Sequence, residues 1–137
     1  MRYCLCLLSV FVIWIHGCSP GKLPDQPETA VVTGIVSLDG KPLPSANILF
    51  QPVEGRPSTG ETDTSGRYTL MYNSHTSGAK LGAHTVHITT YRPNVDPKDL
   101  NSPEYPEQLP AKYHSQSELT ANVALGKNEI SFELKSK

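Results

Sequence analysis

Beyond residue 18 the chain has no cysteine; its three are Cys4, Cys6 and Cys18. That excludes a disulfide framework and a CxxC zinc centre from everything downstream. Neither sign of charge dominates, with 12 Lys+Arg against 13 Asp+Glu and a formal net charge of -1. Without a basic surplus there is no electrostatic footprint for nucleic acid, and no run of like charges makes an interaction tail. Long apolar runs are missing as well. The longest, CLCLLSVFVIWI, covers residues 4 to 15 with only Ser9 to dilute it, short of the roughly 20 residues a spanning helix needs. Helical spacing is absent too, because 12 prolines and 10 glycines punctuate 137 residues. What remains fits one ordinary domain built of short strands.

The apolar run stands directly behind Arg2, so residues 1–17 read as a secretory signal peptide with a short positive n-region and an h-region. Cys18 follows in WIHGCSP, where the chain turns abruptly polar. A buried thiol, a disulfide half, a metal ligand and a lipid attachment site are the four fates open to it. Ile15-His16-Gly17-Cys18 resembles the lipobox of bacterial lipoproteins, with His16 where a small residue is usual. The resemblance implies cleavage before Cys18, a thioether-linked diacylglycerol on its sulfur and acylation of the new amino terminus. Chemistry points the same way. Cleavage there removes Cys4 and Cys6, and an unpaired exported thiol invites intermolecular pairing unless it is modified. Each buried methylene adds about 0.8 kcal/mol of membrane affinity, so several acyl chains hold firmly where one does not.

Residues 18–30 begin with this lipidated terminus and continue as a polar, Pro-rich spacer, SPGKLPDQPETA. The membrane, reached through the lipid, is therefore the first expected partner. Ser19 resembles the outer-membrane sorting choice of enteric bacteria. The expected location is the bacterial cell envelope, at the outer membrane, on its periplasmic or surface side.

From Val31 onward, apolar residues alternate with polar ones between turn signals. VVTGIVSL (31–38) ends at Asp39-Gly40, a pair suited to a type I′ hairpin turn. ANILF puts Ala46, Ile48 and Phe50 on one face. Tyr68, Leu70 and Tyr72 form another face after a turn at Asp63–Gly66, and Val86 with Ile88 a third. LTANVAL aligns Leu119, Ala121, Val123 and Leu125, and EISFEL aligns Ile130, Phe132 and Leu134. With a weaker edge strand at 58–62, the count reaches about seven half-buried strands, which suits a two-sheet sandwich.

VTGIVSLDGKPLPSANILFQP followed by TDTSGRYTL resembles the carboxypeptidase regulatory-like, or transthyretin-like, domains. Gly34, Asp39, Gly40, Pro42, Pro44, Asp63, Gly66 and Tyr68 fill the places of that pattern, while Ser45 stands where a glycine is frequent. The closing residues look like small lipoproteins of this family, of the kind found in planctomycete-like bacteria. The resemblance implies a seven-stranded, immunoglobulin-like antiparallel β-sandwich of prealbumin-type topology over residues 31–136. It implies no reaction, because the fold hosts many functions.

Chemistry-bearing motifs are few. His84 and His87 lie three apart in an expected strand, so they face opposite ways and cannot share a metal. Asp63-Thr64-Ser65-Gly66 lacks the further acidic ligands of a calcium loop, and reads as a turn capped by Asp63 with Gly66 left-handed. No G-x-S-x-G elbow is present. Neither Lys41 nor Lys80 sits where an internal Lys–Asn cross-link would form. The expectation is a non-enzymatic domain with no cofactor and no metal.

The long segment 91–118, YRPNVDPKDLNSPEYPEQLPAKYHSQSE, carries five prolines and three tyrosines between two strands. Connections of this length are commonly functional. Tyr91, Tyr105 and Tyr113 are the candidate ligand-binding residues, forming a platform for an envelope glycan or a polypeptide. The favoured reading of the segment is nonetheless that it covers one open end of the sandwich, with its tyrosines packed and its prolines limiting entropy. The expected function is a membrane-anchored lipoprotein whose β-sandwich is a structural or binding module of the envelope.

Overall fold

The computed structural model describes residues 27–93 and 104–137. The expected signal peptide, Cys18 and the spacer up to residue 26 lie outside the described residues, as does the middle of the long segment, 94–103.

Two sheets face each other across one apolar core. In the first, β1 (Thr29–Leu38) is the central strand; it pairs antiparallel with β8 (Ala79–Lys80), β5 (Arg67–Thr69) and β2 (Lys41–Pro42) in turn. It also pairs in parallel with β11 (Lys127–Glu129) and β12 (Phe132–Leu134). The second sheet runs β10 (Thr120–Val123), β9 (Gly82–Thr89), β3 (Asn47–Pro52), β4 (Ser58–Glu61), β6 (Met71–Asn73), β7 (Thr76–Ser77), all antiparallel. The period-two pattern explains the core. Val32 and Val36 of β1, Ile48 and Phe50 of β3, and Val86 and Ile88 of β9 are all essentially inaccessible. Phe50 sits at its centre, with ring centroids 6.5 Å from Tyr68 and 6.2 Å from Phe132.

The β-sandwich is as expected from the sequence, with two differences of detail. Seven strands become twelve among the described residues, because several runs are cut. The run 67–73 splits at Leu70, where the chain leaves the first sheet for the second; the Leu70 N–H donates to Val32 while its carbonyl accepts from Gly78. Strands that switch sheets form the corners of a sandwich. Leu125, expected inward, is 72 % exposed. Strand β10 stops at Val123 because the Asn128 amide accepts from Ala124 N at 2.9 Å and donates to its carbonyl at 2.8 Å, closing a turn. The second difference is the parallel pairing of β1 with the C-terminal strands, where antiparallel neighbours were expected throughout.

The described chain enters the sandwich beside β8, with Leu81 N donating to Glu28 O, and β1 then runs the length of the sheet. Ten residues at about 3.3 Å each make that roughly 30 Å. Its far end carries the Asp39-Gly40 hairpin, with φ of 50° and 81°, and the C-terminal strand, where Asp39 N donates to Leu134 O.

Candidate functional site

The far end also gathers the two descending strands of the second sheet. Asn47 pairs with both Glu61 and Thr89, so the start of β3 and the ends of β4 and β9 lie side by side. Past β9, Arg92 and Tyr105 exchange backbone hydrogen bonds at 3.0 and 3.1 Å, which brings the two described arms of the long segment together.

Glu107 fastens the returning arm to the sheet. Its carboxylate accepts from the Thr89 hydroxyl, from Thr90 N at 3.1 Å, from the Thr90 hydroxyl at 2.7 Å, and from Gln108 N and Leu109 N at 3.0 and 2.9 Å. Partial burial pushes this carboxyl up, but hydrogen bonds from Thr89, Leu109 and Thr90 outweigh it and hold the group down at about 2. Leu109 then drops into the core.

Above this anchor lies a cleft of about 270 Å³. The turn between β2 and β3 gives one wall, Leu43 to Ser45; Thr90, Arg92, Tyr105 and Gln108 give the other. Arg92 crosses it, donating from Nη2 to Ser45 O at 3.0 Å and pairing with the Glu61 carboxylate. The Tyr105 ring is 54 % exposed beside it.

No protein-family profile and no curated protein matches the chain. Among solved structures, a DUF3823 family protein from Parabacteroides merdae is similar at 15% sequence identity with a TM-score of 0.41, over 80% of this chain and 47% of that one. The chain thus spans about half the length of that protein.

The three candidate tyrosines are not one platform. Tyr105 lines the cleft, and Tyr91 is exposed nearby in sequence, its hydroxyl pushed up by a hydrogen bond to Glu104 and by that carboxylate's charge. Tyr113 belongs to a 3-10 turn, Ala111–Tyr113, and is buried. Its hydroxyl accepts from Lys135 N at 3.0 Å, and the Lys112 ammonium lies 5.2 Å from its ring centroid. At Tyr113, therefore, the segment covers the sandwich. Arg92, Glu107 and Gln108 were not singled out in the sequence. Their only signal was a doublet of threonines closing a strand and a carboxylate set among prolines in PEYPEQLP.

His84 and His87 are both held by backbone carbonyls. His84 is buried against Phe50, with centroids 5.7 Å apart, and its Nδ1 lies 3.0 Å from Gly82 O, which makes that nitrogen the donor. Nε2 then has no partner, and burial lowers the ring's basicity. His87 faces the other way, as its spacing requires, but it is half-buried rather than solvent-facing, with Nδ1 on His114 O at 2.6 Å. Among the described residues no three His, Cys, Asp or Glu side chains are grouped to hold a metal ion. Asp63 caps its turn by accepting from Ser65 N at 2.8 Å, the Ser65 hydroxyl at 2.6 Å and Arg67 N at 3.0 Å. The Lys80 ammonium donates to Glu54 O at 3.0 Å.

Proposed function

We propose that this chain is an exported lipoprotein anchored in the bacterial cell envelope by lipid on Cys18. Its non-catalytic sandwich, of the carboxypeptidase regulatory-like kind, serves as a structural or binding module on the periplasmic or surface side of the outer membrane. The observation that carries this reading is Ile15-His16-Gly17-Cys18 directly behind the apolar run 4 to 15, and the polarity of the domain is consistent with it. The chain joins the sandwich at Thr29, eleven residues after Cys18, at the end opposite the cleft. A lipid on Cys18 would leave the cleft pointing away from the membrane.

Expression in a lipoprotein-competent bacterium with labelled palmitate tests the anchor. The label should enter the wild-type chain and be abolished in Cys18→Ser. Unchanged labelling and membrane retention in that variant would overturn the reading.

A second reading, a module that binds carbohydrate or polypeptide, is favoured by the cleft itself. It pairs an exposed aromatic ring with a fixed guanidinium on a rigid base, the usual composition of a small recognition site.

A further inference from the structure

We propose that the cleft at the far end binds one unit of a neutral polysaccharide, stacked on Tyr105 and hydrogen-bonded to Arg92, Glu61 and Gln108. This rests on the binding-module reading above, and it moves the site away from the expected three-tyrosine platform. Size is the first argument. About 270 Å³ lies at the small end of ligand pockets, which run roughly 300–1,000 Å³, so the cleft takes one unit of a longer chain. Charge is the second. The Arg92 guanidinium already has Glu61 as its counter-ion, so among the described residues lining the cleft no unbalanced cation rewards a phosphate or carboxylate ligand. The pair instead sets donors beside an acceptor, which matches neighbouring hydroxyls that each donate and accept.

The third argument weighs against a peptide added as a strand. Such a peptide is captured through main-chain hydrogen bonds to an open sheet edge. Here the N–H and C=O of Arg92 and Tyr105 bond each other, and Ser45 N and O are taken by Thr62 and Arg92. Recognition at this point falls to side chains and to the half-exposed ring. The face of that ring carries negative potential and attracts the slightly positive C–H groups of a sugar face. Glu107 supplies rigidity by holding Thr89, Thr90, Gln108 and Leu109 together, so little ordering cost falls on binding.

The test uses the mature lipidated chain in detergent micelles, followed by amide NMR shifts. The probes are cellotetraose, maltotetraose, chitotetraose, an oligoglucuronate and tetra-alanine. At least one neutral sugar should shift the amides of Arg92, Tyr105 and Gln108 in a saturable way. Tyr105→Ala should weaken that sugar by about tenfold or more, and Gln108→Ala should weaken it too, with the remaining amide spectrum unchanged. Val53→Ser, at the opposite end, should leave affinity as it was. Preference for the oligoglucuronate, or shifts confined to other surfaces, would overturn the proposal. Saturable binding of tetra-alanine alone would overturn the sugar but keep the binding-module reading. No response to any probe would overturn both.

Discussion

Ser45 stands in a turn where the pattern that the sequence resembles has a glycine, and the structure shows what glycine would supply there. Its φ is +58°, in the left-handed region that costs an L-residue roughly 1–2 kcal/mol. The turn needs that conformation, because Ser45 N donates to Thr62 O, Ala46 N donates to the Thr62 hydroxyl and Ser45 O accepts from Arg92. All the contacts made by Ser45 here are backbone contacts, which glycine keeps. Ser45→Gly should therefore stabilise the domain by up to about 1 kcal/mol, after glycine's greater loss of chain entropy is subtracted. A urea midpoint that fails to rise would contradict this account of the turn. Gly34 shows the opposite case. A Cβ there would fall 1.8 Å from Ile130 O, the carbonyl that accepts the Tyr68 hydroxyl at 2.5 Å. The glycine of the first strand and the tyrosine of the hairpin are thus two halves of one contact.

At the scale of elements, acid should loosen the domain in two stages. His84 comes first. Burial lowers its folded pKa below 6.5, so the unfolded chain takes up the proton more readily. Its contribution is complete above 6.5 and declines as pH falls from there towards the folded value. Glu107 comes second, from the opposite chemistry. Its folded pKa is about 2 against 4.5 in the unfolded chain, so its stabilisation is complete above 4.5 and is lost as pH falls towards 2. Partly exposed and so screened by solvent, it is worth on the order of 1–2 kcal/mol. Urea midpoints taken from about pH 8 to about pH 3 should fall in both windows, and Glu107→Gln should shrink the lower step to what Asp39 and Asp63, also held below the usual carboxylate range, contribute, while leaving the upper step in place. A lower step of unchanged size in Glu107→Gln would assign it elsewhere. The strands that carry these groups were legible in the sequence, because burial on one face writes a period of two into Val32-Gly34-Val36, Ile48-Phe50 and Val86-Ile88. Their partners were not. Alternation says which face is buried and nothing of which strand lies alongside, so the parallel pairing of β1 with β11 and β12 left no mark. The cleft was hidden for a related reason. Arg92 meets Ser45 and Glu61 across 47 and 31 residues, and neither spacing has any local signature. The aromatic content of the long segment singled out Tyr105, which lines the cleft, but Tyr113 looks like Tyr105 in sequence and differs in being packed.

At the scale of the whole sandwich, β1 alone runs about 30 Å between the entry end and the cleft end. Under the proposed anchor, the strand that begins at Thr29 would put the entry end nearer a lipid on Cys18. Eleven residues reach at most about 38 Å, at roughly 3.5 Å each, so the near end would stay within that distance of the bilayer while the cleft could stand a further β1 length away. With no cysteine after Cys18, a mature lipidated chain offers no competing thiol for labelling. A fluorophore placed by Lys41→Cys marks the hairpin at the cleft end, and one placed by Glu54→Cys marks the loop beside Lys80 at the entry end. In vesicles carrying an energy acceptor in their headgroups, transfer from position 54 should clearly exceed transfer from position 41. Detergent should abolish the difference, because it removes the surface that the two ends view unequally. Equal transfer from both positions in intact vesicles would mean the sandwich lies flat or tumbles freely. The cleft would then gain nothing from being built at the end farthest from the anchor.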